Sequence, residues 1–302
     1  MPYQFVLEYK ACIKISLIAS CFDIVLKPIL IHVFRFGILG SATSTLLCDS
    51  FNAICYMKLL QNRGFFAMKK LFAVPSWIEV SPLLKGSTLQ ARSFAMHLTN
   101  LIVARKIQSF DDSGVMPAAF ALAMQTFFTG GICIYAMAMS AQTLYPNAIA
   151  KCKEEEKAVY IKILLQRLLG RGFWVGATIA CIQALLFPII LRTTPLAEVR
   201  EAAIFPMMTM IALQAINGIV CVGEAIMVGN GKFASASIVL IVASIGYTGC
   251  LQLLPQGWGI NGVAISFVVF NLLRLLGFAS FLPSLMNHNH TRSQSSVEDS
   301  QR

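Results

Sequence analysis

Residues 233–273 read FASASIVLIVASIGYTGCLQLLPQGWGINGVAISFVVFNLL and contain no charged side chain over 41 positions. As one α-helix this run would be about 61 Å long at about 1.5 Å per residue, twice the roughly 30 Å of hydrocarbon that a membrane helix crosses. The run must therefore fold back on itself. Residues 254–259 (LPQGWG) are the predicted turn, because Pro and Gly interrupt helices and Trp258 suits a membrane interface.

The composition of the whole chain agrees with a membrane location. Of 302 residues, 57% are hydrophobic and 13% are charged, and the mean hydropathy is +0.70. A soluble domain carries about 25% charged residues, so the soluble globular class is excluded, and the disordered class is excluded by the high hydrophobicity. The net charge of +10 is interpreted as loop charge on one side of a bilayer, and no nucleic-acid partner is expected.

Uncharged windows and turn residues divide the chain into eight predicted spans, which makes it an all-α polytopic membrane protein: 11–34, 38–60, 84–104, 115–143, 172–191, 202–228, 233–253 and 259–283. An even number of spans puts both termini on one side. That side carries 14 of the Lys and Arg residues in the connections and the opposite side carries 5, so both termini are predicted to be cytosolic or stromal. The membrane would be the plasma membrane or an organellar envelope.

An internal repeat relates the second span to the eighth. Residues 37–44 (GILGSATS) and 259–266 (GINGVAIS) agree at five of eight positions, and both open a span after a short loop. The repeat predicts six-span lobes. Residues 1–62 would be the remnant of an N-terminal lobe, 63–83 a basic cytosolic linker, 84–286 a complete C-terminal lobe and 287–302 a disordered polar tail. Four spans would then be missing before Met1. Either the chain is a fragment, or it is a short form whose missing lobe comes from a second protomer.

Several short motifs occur in a fixed order along the chain. They are GILGSATS at 37–44, Arg92, AAFALAMQ at 118–125, Ala141-Gln142, QAIN at 214–217 with Glu224, GNGKF at 229–233 and GWGINGVA at 257–264. In this order they resemble the multidrug and toxic compound extrusion (MATE) transporters, specifically the DinF-like branch, over the last eight of twelve spans. The resemblance implies a two-lobed antiporter with substrate and cation sites near mid-membrane, driven by H⁺ or Na⁺. The chain departs from the family at Lys27 and Tyr135, where acidic residues are usual.

Glu224 is the main candidate for a functional charge inside the membrane. Asn217 precedes it by seven residues and Gln214 by ten, which places all three on one broad helix face. A carboxylate removed from water gains proton affinity, as a proton-coupled carrier requires. The alternative is that Glu224 lies near the inner end of its span and pairs or reaches the interface there.

Other polar residues in the spans allow two interpretations each. Arg92 and Asn100 share a helix face, where Arg92 would line the cavity and hold an anionic group or a partner carboxylate, or would reach the interface. The family resemblance places Gln125 and Gln142 at the cavity, and their alternative is to bridge helices by hydrogen bonds. Asp23 and Lys27, four residues apart, are predicted to form an ion pair.

The residues and the resemblance together predict a secondary active antiporter that exports small organic cations or amphipathic organic compounds, including organic acids, in exchange for H⁺ or Na⁺. Its partners would be a small organic substrate and the lipid bilayer. No enzyme activity, cofactor or bound metal is expected. Two alternatives remain, a lipid-linked precursor flippase with the same fold and a non-transporting fragment or assembly partner of a complete carrier.

Overall fold

The computed structural model describes residues 2–62, 77–150, 152 and 157–286. Within these ranges the chain is helical and contains no strand, so the protein has an all-α polytopic membrane fold. The predicted tail 287–302 and residues 63–76 of the predicted linker lie outside the described residues. The rest of the linker prediction, residues 77–83, belongs to a helix.

The chain divides into two compact units, Met1–Trp77 and Ile78–Arg302, called unit 1 and unit 2 below. Unit 1 holds α1 (Pro2–Pro28), a short π-helix (Ile29–Val33) and α2 (Gly37–Asn62). Unit 2 holds the remaining seven helices of the described chain: α3 (Trp77–Gln108), α4 (Val115–Ala150), α5 (Lys157–Arg192), α6 (Ala197–Ala212), α7 (Gln214–Gly229), α8 (Phe233–Leu253) and α9 (Pro255–Met286).

Five helical segments of the described chain are long and apolar enough to cross a bilayer, and α6 with α7 makes a sixth as one bent span. The five are Lys14–Val33, Val115–Ala150, Val159–Arg192, Phe233–Leu253 and Gly257–Pro283. Helices α2 and α3 have 26 and 32 residues, which is sufficient length, but they carry more polar and charged side chains and are not among the six. The count of eight spans therefore stays a prediction.

The predicted span 202–228 consists of two helices that meet at Leu213 at an angle of 47°. Residues 207–217 contain neither Pro nor Gly, the residues that commonly mark a kink. Tertiary contacts occur at the bend instead. The Gln214 side chain donates to the Phe127 carbonyl of α4 at 2.8 Å, and α5 approaches the Gln214 backbone at Gly176.

Helices α5 and α7 pack at backbone distance through three glycines. A Cβ built on Gly218 would lie 2.1 Å from the Gly172 carbonyl oxygen, and one on Gly176 would lie 2.3 Å from the Gln214 carbonyl oxygen. Small residues allow this close approach, which membrane helices use because lipid supplies no hydrophobic force between them. The contact fixes α7, the helix that carries Glu224.

The two copies of the repeated octapeptide begin with the same unusual backbone. Gly37 has φ +54° and Gly259 has φ +53°, both in the left-handed region that favours glycine. Gly259 also has ψ −131°, so the backbone leaves the helical region there. Helix α8 ends at Leu253, and the turn predicted at residues 254–259 is thus confirmed.

Candidate functional site

Three charged side chains of unit 2 meet at Glu224. Arg274 Nε on α9 donates to Glu224 Oε1 at 2.8 Å, and Arg92 Nη2 on α3 donates to Glu224 Oε2. Glu224 is only 3% exposed and Arg274 only 8%. Each carboxylate oxygen thus has its own guanidinium partner, and the partners lie on two different helices. We call Arg92, Glu224 and Arg274 the charge cluster.

The charge cluster carries one more positive than negative formal charge. Such a group is costly to bury unless its members pair and hydrogen-bond. Two contacts within α9 help to hold the Arg274 side chain, which also contacts Cys221 of α7. Its guanidinium lies over the Phe270 ring with its central carbon 5.3 Å from the ring centroid, and its Nη1 is 3.4 Å from Asn271 Oδ1. Both neighbours come from the preceding turn of α9.

A cavity of about 420 Å³ lies beside the charge cluster, between helices α3, α4, α7 and α9. Its lining is mostly aromatic and aliphatic: Met96, Asn100, Met124, Phe127, Phe128, Gly131, Ile132, Tyr135, Asn217, Cys221, Phe267, Phe270 and Arg274. Of these described lining residues, Arg274 is the one with a permanent charge. Glu224 and Arg92 are not among them, so Arg274 is the member of the charge cluster that contributes to the described cavity wall.

Two of the predicted site residues contribute amides to this cavity. Asn100 and Asn217 both line it, and Asn217 Oδ1 accepts a hydrogen bond from Cys221 Sγ at 3.2 Å. Arg92, Asn217 and Glu224 therefore lie in or next to the same cavity. The pairing of Arg92 with a carboxylate was one of its two predicted interpretations, and this pairing is present.

Gln214 shares a helix with Glu224 but does not reach the cavity. It is fully buried and its Nε2 donates to the Phe127 carbonyl and, at 3.3 Å, to Gln183 Oε1. Gln183 in turn donates to the Thr126 carbonyl at 2.6 Å. These amides bridge α4, α5 and α7, which is the role of polar residues between membrane helices.

The structure does not bring Gln125 and Gln142 to the charge cluster. Gln125 is exposed on α4, and Gln142 is half-buried with its backbone against Gly229. Neither belongs to the described lining of the cavity. Their role in substrate binding stays a prediction based on the family resemblance alone.

Arg274 is the candidate site residue that the sequence reasoning missed. It lies inside the predicted span 259–283, and a charged residue inside a span is by default a candidate for a functional site. That signal was present in the sequence. Arg274 directly follows the uncharged run 233–273.

Unit 1 contains a simpler charged site. Lys27 Nζ donates to Asp23 Oδ2 within α1, which confirms the predicted ion pair. Ser44 of α2 donates to the second oxygen, Asp23 Oδ1, at 2.7 Å. The pair has no net formal charge.

The chain matches no protein-family model and no curated protein. Its backbone is similar to solved MATE transporters. An inward-facing multidrug resistance MATE transporter of the MOP superfamily has a TM-score of 0.73 at 17% identity, over 90% of this chain and 64% of that chain. A MATE transporter of Vibrio cholerae in the bent form has a TM-score of 0.65 at 20% identity, over 90% and 62%.

A third similar structure is a MOP superfamily transporter from Pyrococcus furiosus, with a TM-score of 0.70 at 18% identity, over 88% of this chain and 60% of that chain. Its authors describe a binding pocket of reverse polarity that suggests a different function. At these identities the similarity defines a fold, and the fold is that of the MATE transporters. The chain spans between 60% and 64% of the length of these three neighbours.

Proposed function

We propose that the protein is a MATE-type secondary antiporter, or the larger part of one, that exports small amphipathic organic compounds in exchange for H⁺ or Na⁺. The observation that supports this most is the mainly apolar cavity beside the charge cluster in a MATE-like fold. Ligand sites in proteins are typically concave and apolar with a few placed polar groups, and this cavity has that character.

In the proposed mechanism Glu224 links ion binding to helix position. Its carboxylate holds Arg92 of α3 and Arg274 of α9 at the same time. A proton or Na⁺ that binds the carboxylate reduces its attraction for both guanidiniums, because opposite charges are what hold the three groups together. Ion exchange would then favour a different arrangement of these helices, as alternating access requires.

The lipid-linked precursor flippase is the second candidate. It is favoured by the positive charge of the cavity lining and by three well-exposed lining side chains, Phe128, Ile132 and Tyr135, at 51%, 68% and 63%. The Pyrococcus furiosus neighbour, with a binding pocket of reverse polarity, is a precedent for a different function on this fold. Three further parts of the antiporter proposal rest on the sequence patterns alone: the DinF-like branch, the cytosolic or stromal termini and the need for a partner lobe.

Flux through proteoliposomes tests the antiport proposal. The chain is reconstituted and loaded with either ethidium, an organic cation, or 2-naphthoate, an organic anion, and release is followed after imposing a pH or a Na⁺ gradient. We expect saturable, gradient-dependent release of at least one probe. Release equal to that from empty liposomes for both probes and both gradients contradicts the proposal.

Glu224→Gln is the matching variant, because it keeps the shape of the side chain and removes its charge. We expect it to insert normally and to lose the gradient dependence of release. Glu201→Gln, the same change at an exposed position of α6, is the control and should behave as the unmodified chain. Unchanged gradient dependence in Glu224→Gln would exclude Glu224 from ion coupling.

A further inference from the structure

The charge that faces the cavity is positive, and this decides between the two substrate classes that the sequence left open. We infer that the cavity selects small aromatic or amphipathic carboxylates, which bind Arg274 through their anionic group and compete there with Glu224. The inference rests on the proposed function of the cavity as the substrate site. It assigns the sign of the substrate charge and names Arg274 as the residue that reads it.

The guanidinium of Arg274 has donors left for a ligand. Arginine offers five N–H donors in a planar fork, and a carboxylate accepts two of them side by side. In the structure Nε donates to Glu224 at 2.8 Å, Nη1 makes a long 3.4 Å contact with Asn271, and the guanidinium also contacts the Cys221 side chain, which leaves part of its five donors for a ligand. Glu224 uses one of its oxygens to bind the Arg274 guanidinium. A ligand carboxylate that enters from the cavity can therefore bind the remaining donors.

The walls of the cavity suit an aromatic body attached to that anionic group. Phe127 and Phe267 pack edge to face with ring centroids 5.1 Å apart, and Phe267 stacks on Phe270 at 5.7 Å. All three line the cavity. Aromatic rings prefer such offset or edge-on partners, so a ligand ring finds complementary surfaces. The volume of about 420 Å³ is in the range of small-molecule sites.

An organic cation meets the opposite situation. Its positive charge would lie next to the Arg274 guanidinium, and like charges repel strongly where water is scarce. The nearby carboxylate does not offset this, because both Glu224 oxygens already hold a guanidinium and Glu224 is not among the described residues that line the cavity. The charge of Arg274 therefore favours anionic over cationic ligands of the same shape.

Arg92 lets Glu224 act as an internal competitor. When Arg274 turns to a ligand carboxylate, Glu224 keeps its contact with Arg92 through Oε2. The buried carboxylate is therefore not left without a partner, which would be the costly outcome. Glu224 limits ligand affinity in this arrangement, and removal of its charge should strengthen anion binding.

Equilibrium binding to the full chain in lipid nanodiscs tests the inference without any transport step. The probes are 2-naphthoate and its cationic analogue 2-naphthylmethylammonium, and empty nanodiscs correct for partitioning into lipid. We expect 2-naphthoate to bind at least about tenfold more tightly. Arg274→Gln should weaken 2-naphthoate binding by about 10- to 100-fold, the loss that one charge-assisted hydrogen bond predicts. Arg192→Gln, at the exposed end of α5, is the control.

Glu224→Gln tests whether Glu224 competes with the ligand. Removal of the competing carboxylate should tighten 2-naphthoate binding by up to about tenfold. If Arg274→Gln fails to elute as a single species with the helical circular dichroism of the unmodified chain, Glu224→Gln with Arg274→Gln replaces it, since that variant leaves no buried carboxylate short of a partner. Tighter binding in Glu224→Gln that the second change abolishes supports the inference.

Three results would overturn the inference: equal or tighter binding of the cation, 2-naphthoate affinity unchanged by loss of Arg274 in a folded variant, or weaker 2-naphthoate binding in Glu224→Gln. A selective anion site in nanodiscs together with no flux in proteoliposomes would refute the antiporter and leave the anion site standing. Gradient-dependent flux of ethidium with no binding of 2-naphthoate would refute the anion site and leave the antiporter proposal standing.

Discussion

Unit 1 and unit 2 each hold a paired carboxylate between helices, half-buried in unit 1 and buried in unit 2, and they neutralise it in different ways. In unit 1 Asp23 pairs with Lys27 one turn away on the same helix, and the side chains are 23% and 37% exposed. In unit 2 Glu224 pairs with two arginines from two other helices, 132 and 50 residues away in the chain. The first pair can form in an isolated helix, whereas the second arrangement exists only when α3, α7 and α9 have packed.

The comparison shows two uses of buried or half-buried charge. A pair within one helix neutralises a charge, whereas a cluster formed by several helices holds a charge at a defined place. Asp23 and Lys27 leave no net charge, and their further contacts, Ser44 and Cys48, both come from α2. The charge cluster has a net positive formal charge, and its member Arg274 lies at the wall of a cavity. Chemistry that depends on charge is therefore expected in unit 2. Three substitutions measure how far the contrast holds.

Glu224→Leu should have the largest effect on stability. It leaves two guanidiniums at a buried position without their shared carboxylate, and breaking a buried pair in this way costs about 3–5 kcal/mol. The measurement is thermal unfolding of the purified chain in detergent. Glu201→Leu, an exposed change of the same kind on α6, should leave the midpoint close to that of the unmodified chain. A loss for Glu224→Leu below about 1 kcal/mol would place the cluster with ordinary surface pairs.

Gly218→Ala should have an intermediate effect, because the helix contact that fixes α7 has no room for a methyl group. The added Cβ would lie 2.1 Å from the Gly172 carbonyl oxygen, so α5 and α7 must separate. Overpacking of this kind costs about 1–3 kcal/mol. Gly170→Ala on α5 is the matched control, since no described atom lies within 4 Å of its Cβ position. Equal unfolding midpoints for the two variants would show that the close contact does not hold α7.

Lys27→Met should have the smallest effect, about 1 kcal/mol or less, because half-exposed pairs contribute little and Ser44 still donates to Asp23. Thermal unfolding again supplies the measurement. Lys14→Met, at an exposed position of the same helix, separates loss of the pair from loss of charge. A destabilisation by Lys27→Met as large as that by Glu224→Leu would remove the distinction between local and tertiary neutralisation.

Helix periodicity in the sequence was sufficient for contacts within one helix. The spacing of four residues predicted the pair of Asp23 with Lys27, which the structure has. The spacing of seven put Asn217 and Glu224 on one helix face, and Asn217 lines the cavity beside the charge cluster. The same periodicity grouped Gln214 with them, yet Gln214 bonds to the Phe127 carbonyl in the helix interface. Periodicity tells which residues share a face, but it does not tell which part of that face meets a neighbouring helix.

Contacts between helices needed the three-dimensional structure. The bend at Leu213 has no Pro or Gly within a few residues that would predict it. The pairing of Glu224 with Arg92 and Arg274 joins three helices, and no short-range sequence pattern predicts it. The sequence did contain one unused signal for this site. Arg274 is a charged residue within a predicted span, where a charge requires a partner, and Glu224 is the one acidic residue in the predicted spans from 84 to 283.

The matching glycines at the start of each repeat copy are required by the backbone conformation and not by lack of space for a side chain. Gly37 and Gly259 both have positive φ, and no described atom lies within 4 Å of the Cβ position of either. There is room for a methyl group, but an L-residue adopts this backbone only under strain. A D-residue adopts positive φ without this strain and would restrict the unfolded chain, so the backbone at these two corners suits the mirror-image amino acid.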